Sequence, residues 1–250
     1  MKALANPVYC GIDTTDLAWS IRLIQTIAGG SGPVVGGIKL GLEFFLANGV
    51  SGVRQALPDA LRASGVGFFL DLKLHDIPNT AAGGVRAVIE LEPTYITVHA
   101  AGGRAMMKAA AEEARAQAAK RNLRCPKLLG VTVLTSLNRD DLMDTGVSND
   151  PSEQVLRLAA LARASGLDGA ICSPHEIAAL RRQCGPDFVL MVPGIRPAGA
   201  SAADQKRVMT PSQAMALGAT HLVVSRPICQ AADPRAAAVA IARDAGVEGL

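Results

Sequence analysis

The stretch Phe68-Phe69-Leu70-Asp71-Leu72-Lys73-Leu74-His75-Asp76-Ile77-Pro78-Asn79-Thr80 reads as a β-strand that stops at a proline. Side chains alternate across a strand, so Asp71 and Lys73 share one face and Leu70, Leu72 and Leu74 the other. Pro78 holds Ile77 extended and suits the first position of a helix, which puts Asp76 in the loop between strand and helix. Taken alone, the alternation also fits an antiparallel edge strand with a solvent-facing ion pair. The surrounding sequence favours a parallel strand covered by helices, where charges are costly unless paired, so Asp71, Lys73 and Asp76 read as part of a site.

On both sides of this stretch, short apolar runs alternate with Ala-rich segments of helical period. Strands are expected at 8–13, 36–42, 67–73, 95–99, 127–134, 168–172, 188–192 and 221–225. Helices are expected at about 16–28, from the second strand to about 63, and at 78–91, 103–120, 151–164, 174–183, 211–217 and 233–245. Eight β/α units without a linker or composition break predict an α/β fold, a closed (β/α)8 TIM barrel forming a single domain over residues 1–250. An open doubly wound sheet is the alternative.

Composition narrows the function classes. Of 250 residues, 49% are hydrophobic but only 3% aromatic, so the core must be built from Val, Ile, Leu and Ala. The net charge of +3, without a basic run, argues against nucleic acid and fits an anionic small molecule. No apolar run reaches the ~18 residues of a membrane span, and the N-terminus does not resemble a secretory signal. Five scattered cysteines without CxxC spacing point to a reducing cytoplasm.

Polar residues gather at the expected C-terminal ends of the strands: Asp13, Lys39, Asp71 with Lys73, His99, Thr135 with Ser136, Arg196 and Arg226. In a barrel these ends converge on one face, where active sites lie. Ser225-Arg226-Pro227 joins a guanidinium to a helix start, and Arg196 follows the preceding strand; together they suit a phosphate. The long segment from Gly194 to Thr210, with Gln205 in it, has the length of a functional lid. Lys39, Asp71, Lys73 and Asp76 offer alternating charges that keep carboxylates ionised. A metal site from Asp71, His75 and Asp76 is disfavoured by the neighbouring lysines, and His99 reads as a structural histidine.

The sequence from Asp71 to Thr80 closely resembles the signature of the orotidine 5′-phosphate decarboxylase family in its bacterial form. The resemblance extends to Asp13, Ile38-Lys39, Val133-Leu134-Thr135-Ser136, Pro193-Gly194-Ile195-Arg196, Asp204-Gln205-Lys206-Arg207-Val208 and Val224-Ser225-Arg226-Pro227. It implies a TIM-barrel carboxy-lyase that converts orotidine 5′-monophosphate to uridine 5′-monophosphate and CO₂ without a cofactor or metal. It further implies that Lys73 donates a proton to C6, that Asp71 lies against the substrate carboxylate, and that Lys39 and Asp13 lie near the ribose. Thr135 and Ser136 would border the pyrimidine, while Arg196, Gln205 and Arg226 close around the phosphate. Asp76 and Thr80 would enter the site of the second subunit of a homodimer. The family usually carries glycine where this chain has Ser225. Two other readings of the residues are a metal-dependent sugar-phosphate decarboxylase or aldolase-like barrel, and a silent phosphate-binding barrel.

Overall fold

All the expected strands form, and all are parallel: β1 (Val8–Ile12), β2 (Gly37–Gly41), β3 (Gly67–Leu74), β4 (Tyr95–His99), β5 (Lys127–Val131), β6 (Gly169–Ile171), β7 (Val189–Pro193) and β8 (His221–Val224). They close in sequence order into a barrel, with β8 pairing back onto β1. This is a computed structural model, and it describes residues 6–30, 32–197 and 209–250. The helices are α1 (Leu17–Ala28), α2 (Leu42–Ala56), α3 (Asp59–Ala63), α4 (Pro78–Val88), α5 (Gly103–Arg121), α6 (Arg139–Asp144), α7 (Pro151–Ala164), α8 (Ile177–Cys184), α9 (Pro211–Ala216), α10 (Arg226–Cys229) and α11 (Pro234–Asp244). The sheet is closed, and the open-sheet alternative falls.

Three of the chain's eight aromatics lie inside the barrel. Tyr9, Phe69, Tyr95, Leu129, Val189, Met191 and Val223 plug the interior. The Tyr9 side chain lies over Gly37 and Gly67: an added Cβ would come within 2.1 Å of its ring at Gly37 and of its hydroxyl at Gly67. At the N-terminal end of the strands Tyr95 Oη and His221 Nε2 are 2.7 Å apart, and the Tyr9, Tyr95 and His221 rings pack edge to face. Burial, reinforced by the Lys127 charge, lowers the His221 pKa to about 4. Outside the barrel, the other strand faces pack on apolar helix stripes such as Met106, Met107, Ala110, Ala111, Ala114 and Ala118 of α5, which recur at helical spacing.

Some boundaries differ from the sequence reading. Strand β5 ends at Val131 rather than 134, since the Thr132 hydroxyl turns to donate to Ile171 O at 2.8 Å. Thr135 and Ser136 therefore lie beyond the strand. The expected helix through 63 divides at Leu57-Pro58 into α2 and α3. Helix α6 was not expected; Asn138 and Asp141 form a reciprocal capping box at its start.

The important irregularity is in β3. Its pairing with β4 runs Leu70 to Ile96 and then Leu74 to Val98, so Asp71, Leu72 and Lys73 face the single residue Thr97. Lys73 has φ of 49°, a left-handed backbone that side chains other than glycine rarely adopt. The Asp71 and Lys73 side chains meet, as alternation implies, but on a bulge rather than a regular strand.

Candidate active site

Four charged side chains form a chain of contacts at the C-terminal mouth of the barrel. Asp13, just beyond β1, meets Lys39 Nζ of β2 at 2.8 Å. Lys39 Nζ lies 3.7 Å from Asp71 Oδ2 of β3, and that same oxygen is 2.7 Å from Lys73 Nζ. Glycines make the room. A Cβ on Gly41 would sit 2.8 Å from Asp13 Oδ1 and 3.1 Å from Lys39 Nζ, and one on Gly11 would sit 3.0 Å from Lys39 Cε.

The sign order explains how charges persist here. Lys39 is 8% exposed and Asp71 7%. Burial pushes the Asp71 carboxyl up, but the Lys39 and Lys73 charges, with hydrogen bonds from Lys73 and Thr97, outweigh it and hold the group below its usual value. Asp71 is therefore an anion at neutral pH, clasped by two ammonium groups. Asp76 is not in this array: it is exposed, and its carboxylate accepts from the Ile77 amide at 2.7 Å. Asp13 holds the outer position instead.

Above the array opens a cavity of about 580 Å³ lined by Asp13, Lys39, Asp71, Lys73, Thr135, Arg196, Ser225 and Arg226, with Phe69, Ile171 and Val223 among its apolar walls. Eight of the residues singled out from the sequence thus meet in one place. Ser136 does not line it, Thr80 is exposed away from it, and Gln205 lies outside the described residues. Gln230 lines the cavity and was not anticipated. His99 ends β4 beside His75, with ring centroids 5.2 Å apart, and is not among the lining residues. Burial first, then His75 and Lys73, lowers its pKa and keeps it neutral at pH 7.

The two arginines stand on adjoining segments. Arg196 is 7% exposed; its backbone N–H donates to Met209 O at 3.1 Å, beside the bridge between Ile195 and Met209. That bridge joins the two ends of the segment that contains Gln205. Arg226 begins α10. Ser225 before it has φ of −110°, so no glycine is required, and its hydroxyl donates to Gly11 O at 2.6 Å. The serine is thereby held against β1. Beyond Arg226 a side cleft of about 370 Å³ is lined by Asp13, Asp16, Trp19 and Cys229, among others.

A residue that sequence reasoning passed over is Thr97. It is fully buried on β4, and its hydroxyl donates to Asp71 Oδ1 at 2.8 Å while accepting the Lys73 N–H at 2.9 Å. Threonine is an ordinary strand residue, so only the β3 irregularity reveals it.

Fold and site together define a (β/α)8-barrel enzyme that works at the C-terminal face of its strands. Comparison with known proteins gives the family. The chain belongs to the orotidine 5′-phosphate decarboxylase / HUMPS family, whose model matches residues 7–241. It is 52% identical over 237 residues to the orotidine 5′-phosphate decarboxylase of Rhodospirillum rubrum, covering 95% of this chain and 93% of that protein. It is 47% identical over 240 residues to the enzyme of the same name from Moorella thermoacetica, covering 96% and 92%. The crystal structure of orotidine 5′-phosphate decarboxylase from Lactobacillus acidophilus superposes with a TM-score of 0.82 at 37% identity, covering 96% of this chain and 99% of that one.

Proposed function

We propose that this chain decarboxylates orotidine 5′-monophosphate to uridine 5′-monophosphate in pyrimidine biosynthesis. The observation that carries the reading is the Asp13–Lys39–Asp71–Lys73 array, with Lys39 and Asp71 buried at its centre, under a cavity rimmed by Arg196 and Arg226, in a chain of this family. The bond between C6 and the carboxylate breaks, CO₂ leaves, and the electron pair stays on C6. The Lys73 ammonium gives C6 its proton and is reprotonated by solvent. Repulsion between Asp71 and the substrate carboxylate at ~4 Å supplies only about 4 kcal/mol at an effective dielectric near 20. Enzymes typically lower barriers by ~8–23 kcal/mol, so the Lys73 charge beside the carbanion and phosphate binding by Arg196, Arg226 and Gln205 must provide the rest. Lys39 and Asp13 hold the ribose and Thr135 the pyrimidine. Side chains of this chain supply every step, and no cofactor is invoked.

The enzyme is a homodimer with shared sites in this reading. Asp76 and Thr80 face solvent next to Ile77, which is 66% exposed, and Leu134 is 39% exposed on the cavity rim. A second copy covering these apolar side chains would receive Asp76 and Thr80 in its own site, reciprocally about a two-fold axis. Among the described residues no helix is long and apolar enough to cross a membrane, and the free cysteines favour a cytoplasmic setting.

The test is turnover of orotidine 5′-monophosphate, followed by loss of the orotate absorbance, with and without exhaustive chelation. Turnover that survives chelation is expected. Turnover that requires a divalent ion would favour the metal-dependent reading, and nucleotide binding without turnover would leave a silent barrel.

A further inference from the structure

The irregular pairing of β3 and β4 leaves a chemical problem at the centre of the site. The slip between Leu70/Ile96 and Leu74/Val98 removes Lys73 N–H from the regular ladder. A buried N–H without a partner is costly, and so is a carboxylate free to rotate between two cations. One atom answers both. Thr97 Oγ1 accepts the Lys73 N–H at 2.9 Å and donates to Asp71 Oδ1 at 2.8 Å. The direction is fixed by chemistry: the amide cannot accept, and an ionised carboxylate cannot donate. With Oδ1 held by the hydroxyl, Oδ2 is the oxygen turned to Lys73 Nζ at 2.7 Å and Lys39 Nζ at 3.7 Å.

We propose that Thr97 is a positioning residue for decarboxylation, whose hydroxyl sets the rotation of the Asp71 carboxylate and the left-handed backbone of Lys73 at the same time. It is fully buried and absent from the cavity lining, so it acts through Asp71 and Lys73. The same hydroxyl holds both groups, so its loss frees both together. The inference rests on the proposed reaction for its kinetic assay, while its geometric content stands independently.

The experiment compares T97V, which keeps the shape and loses the hydroxyl, with T97S, which keeps the hydroxyl and loses the methyl. For each, kcat and KM for orotidine 5′-monophosphate are measured, with the Kd of uridine 5′-monophosphate, which lacks the carboxylate that Asp71 faces. A hydrogen bond to a charged group supports a loss of about 10- to 100-fold in kcat for T97V, with KM and product Kd within about threefold. T97S should keep kcat within about threefold. The proposal is overturned if T97V keeps wild-type kcat, if T97S falls as far as T97V, or if kcat and product binding fall in parallel. If T97V does not fold, T97A takes its place against T97S with the same outcomes. If the wild type does not turn over, the reaction assignment has failed, and crystal structures decide the geometry. An unchanged Asp71 rotation and residue 73 φ in T97V would then overturn the proposal.

Discussion

Replacing Lys73 separates what its side chain does from what its backbone endures. Lys73→Ala and Lys73→Gly both remove the ammonium and its 2.7 Å contact with Asp71, so that loss cancels between them. An ammonium at ~4 Å from the developing carbanion is worth about 4 kcal/mol at an effective dielectric near 20, roughly three decades in rate. General acid catalysis adds about two decades or more. Both variants should therefore lose about 10⁵-fold in kcat while still binding uridine 5′-monophosphate. Their stabilities should differ with an unusual sign. Glycine in a strand is normally less stable than alanine by about 0.5–1 kcal/mol. At φ of 49°, alanine bears the left-handed penalty of about 1–2 kcal/mol that glycine escapes. The net expectation is that Lys73→Gly is the more stable by about 1 kcal/mol, or about 2–4 °C in Tm for a chain of this size. Urea unfolding and thermal melts measure it. If Lys73→Ala proves equally or more stable, the backbone at 73 relaxes once the side chain is gone, and the strain is not imposed by the barrel.

Arg226→Ala should lower kcat/KM by at least about tenfold for the phosphorylated substrate and leave the bare nucleoside almost unaffected; equal losses would remove Arg226 from phosphate binding. His221 is neutral in the folded barrel down to about pH 4, whereas an unfolded chain protonates it near 6.5. Below pH 6.5 the unfolded state thus takes up a proton that the folded state refuses, and stability falls by about 3 kcal/mol between pH 6.5 and 4. His221→Phe should flatten this part of the urea-unfolding pH profile, and an unchanged profile would mean that other groups set it. Lys73→Ala and Asp76→Ala, each nearly inactive alone, should together recover roughly a quarter of wild-type sites after subunit exchange, because one site of each mixed dimer is intact. Baseline activity after proven exchange would make Asp76 a residue of its own chain's site.

The barrel was legible because strands buried on both faces read as apolar runs, and the Ala-rich helices between them keep a different period. Asp13, Lys39, Asp71, Lys73, Arg196 and Arg226 were legible because charge at the end of such a run needs a reason. What escaped depended on backbone geometry. Nothing in Leu72-Lys73-Leu74 announces a left-handed residue, since glycine, its usual sign, is absent. Thr97 gains its role only through the slip of β3 against β4. The order of charges placed Asp76 in one array with Lys39, Asp71 and Lys73, but Asp76 is exposed and outside it, and Asp13 arrives from β1. Helix α6 is six polar-rich residues, too short for periodicity, and only its capping pair Asn138 and Asp141 could have shown it.

Trp19 is the chain's single tryptophan, and it stands half-buried in the side cleft that also includes Arg226 and Asp13. Indole emission responds to nearby charge and hydration, and no second indole competes with it. The protein therefore carries a built-in optical probe next to the guanidinium assigned to phosphate. Titrating inorganic phosphate and watching the emission maximum would read out ligation at that end of the cavity without a label, a substrate or turnover.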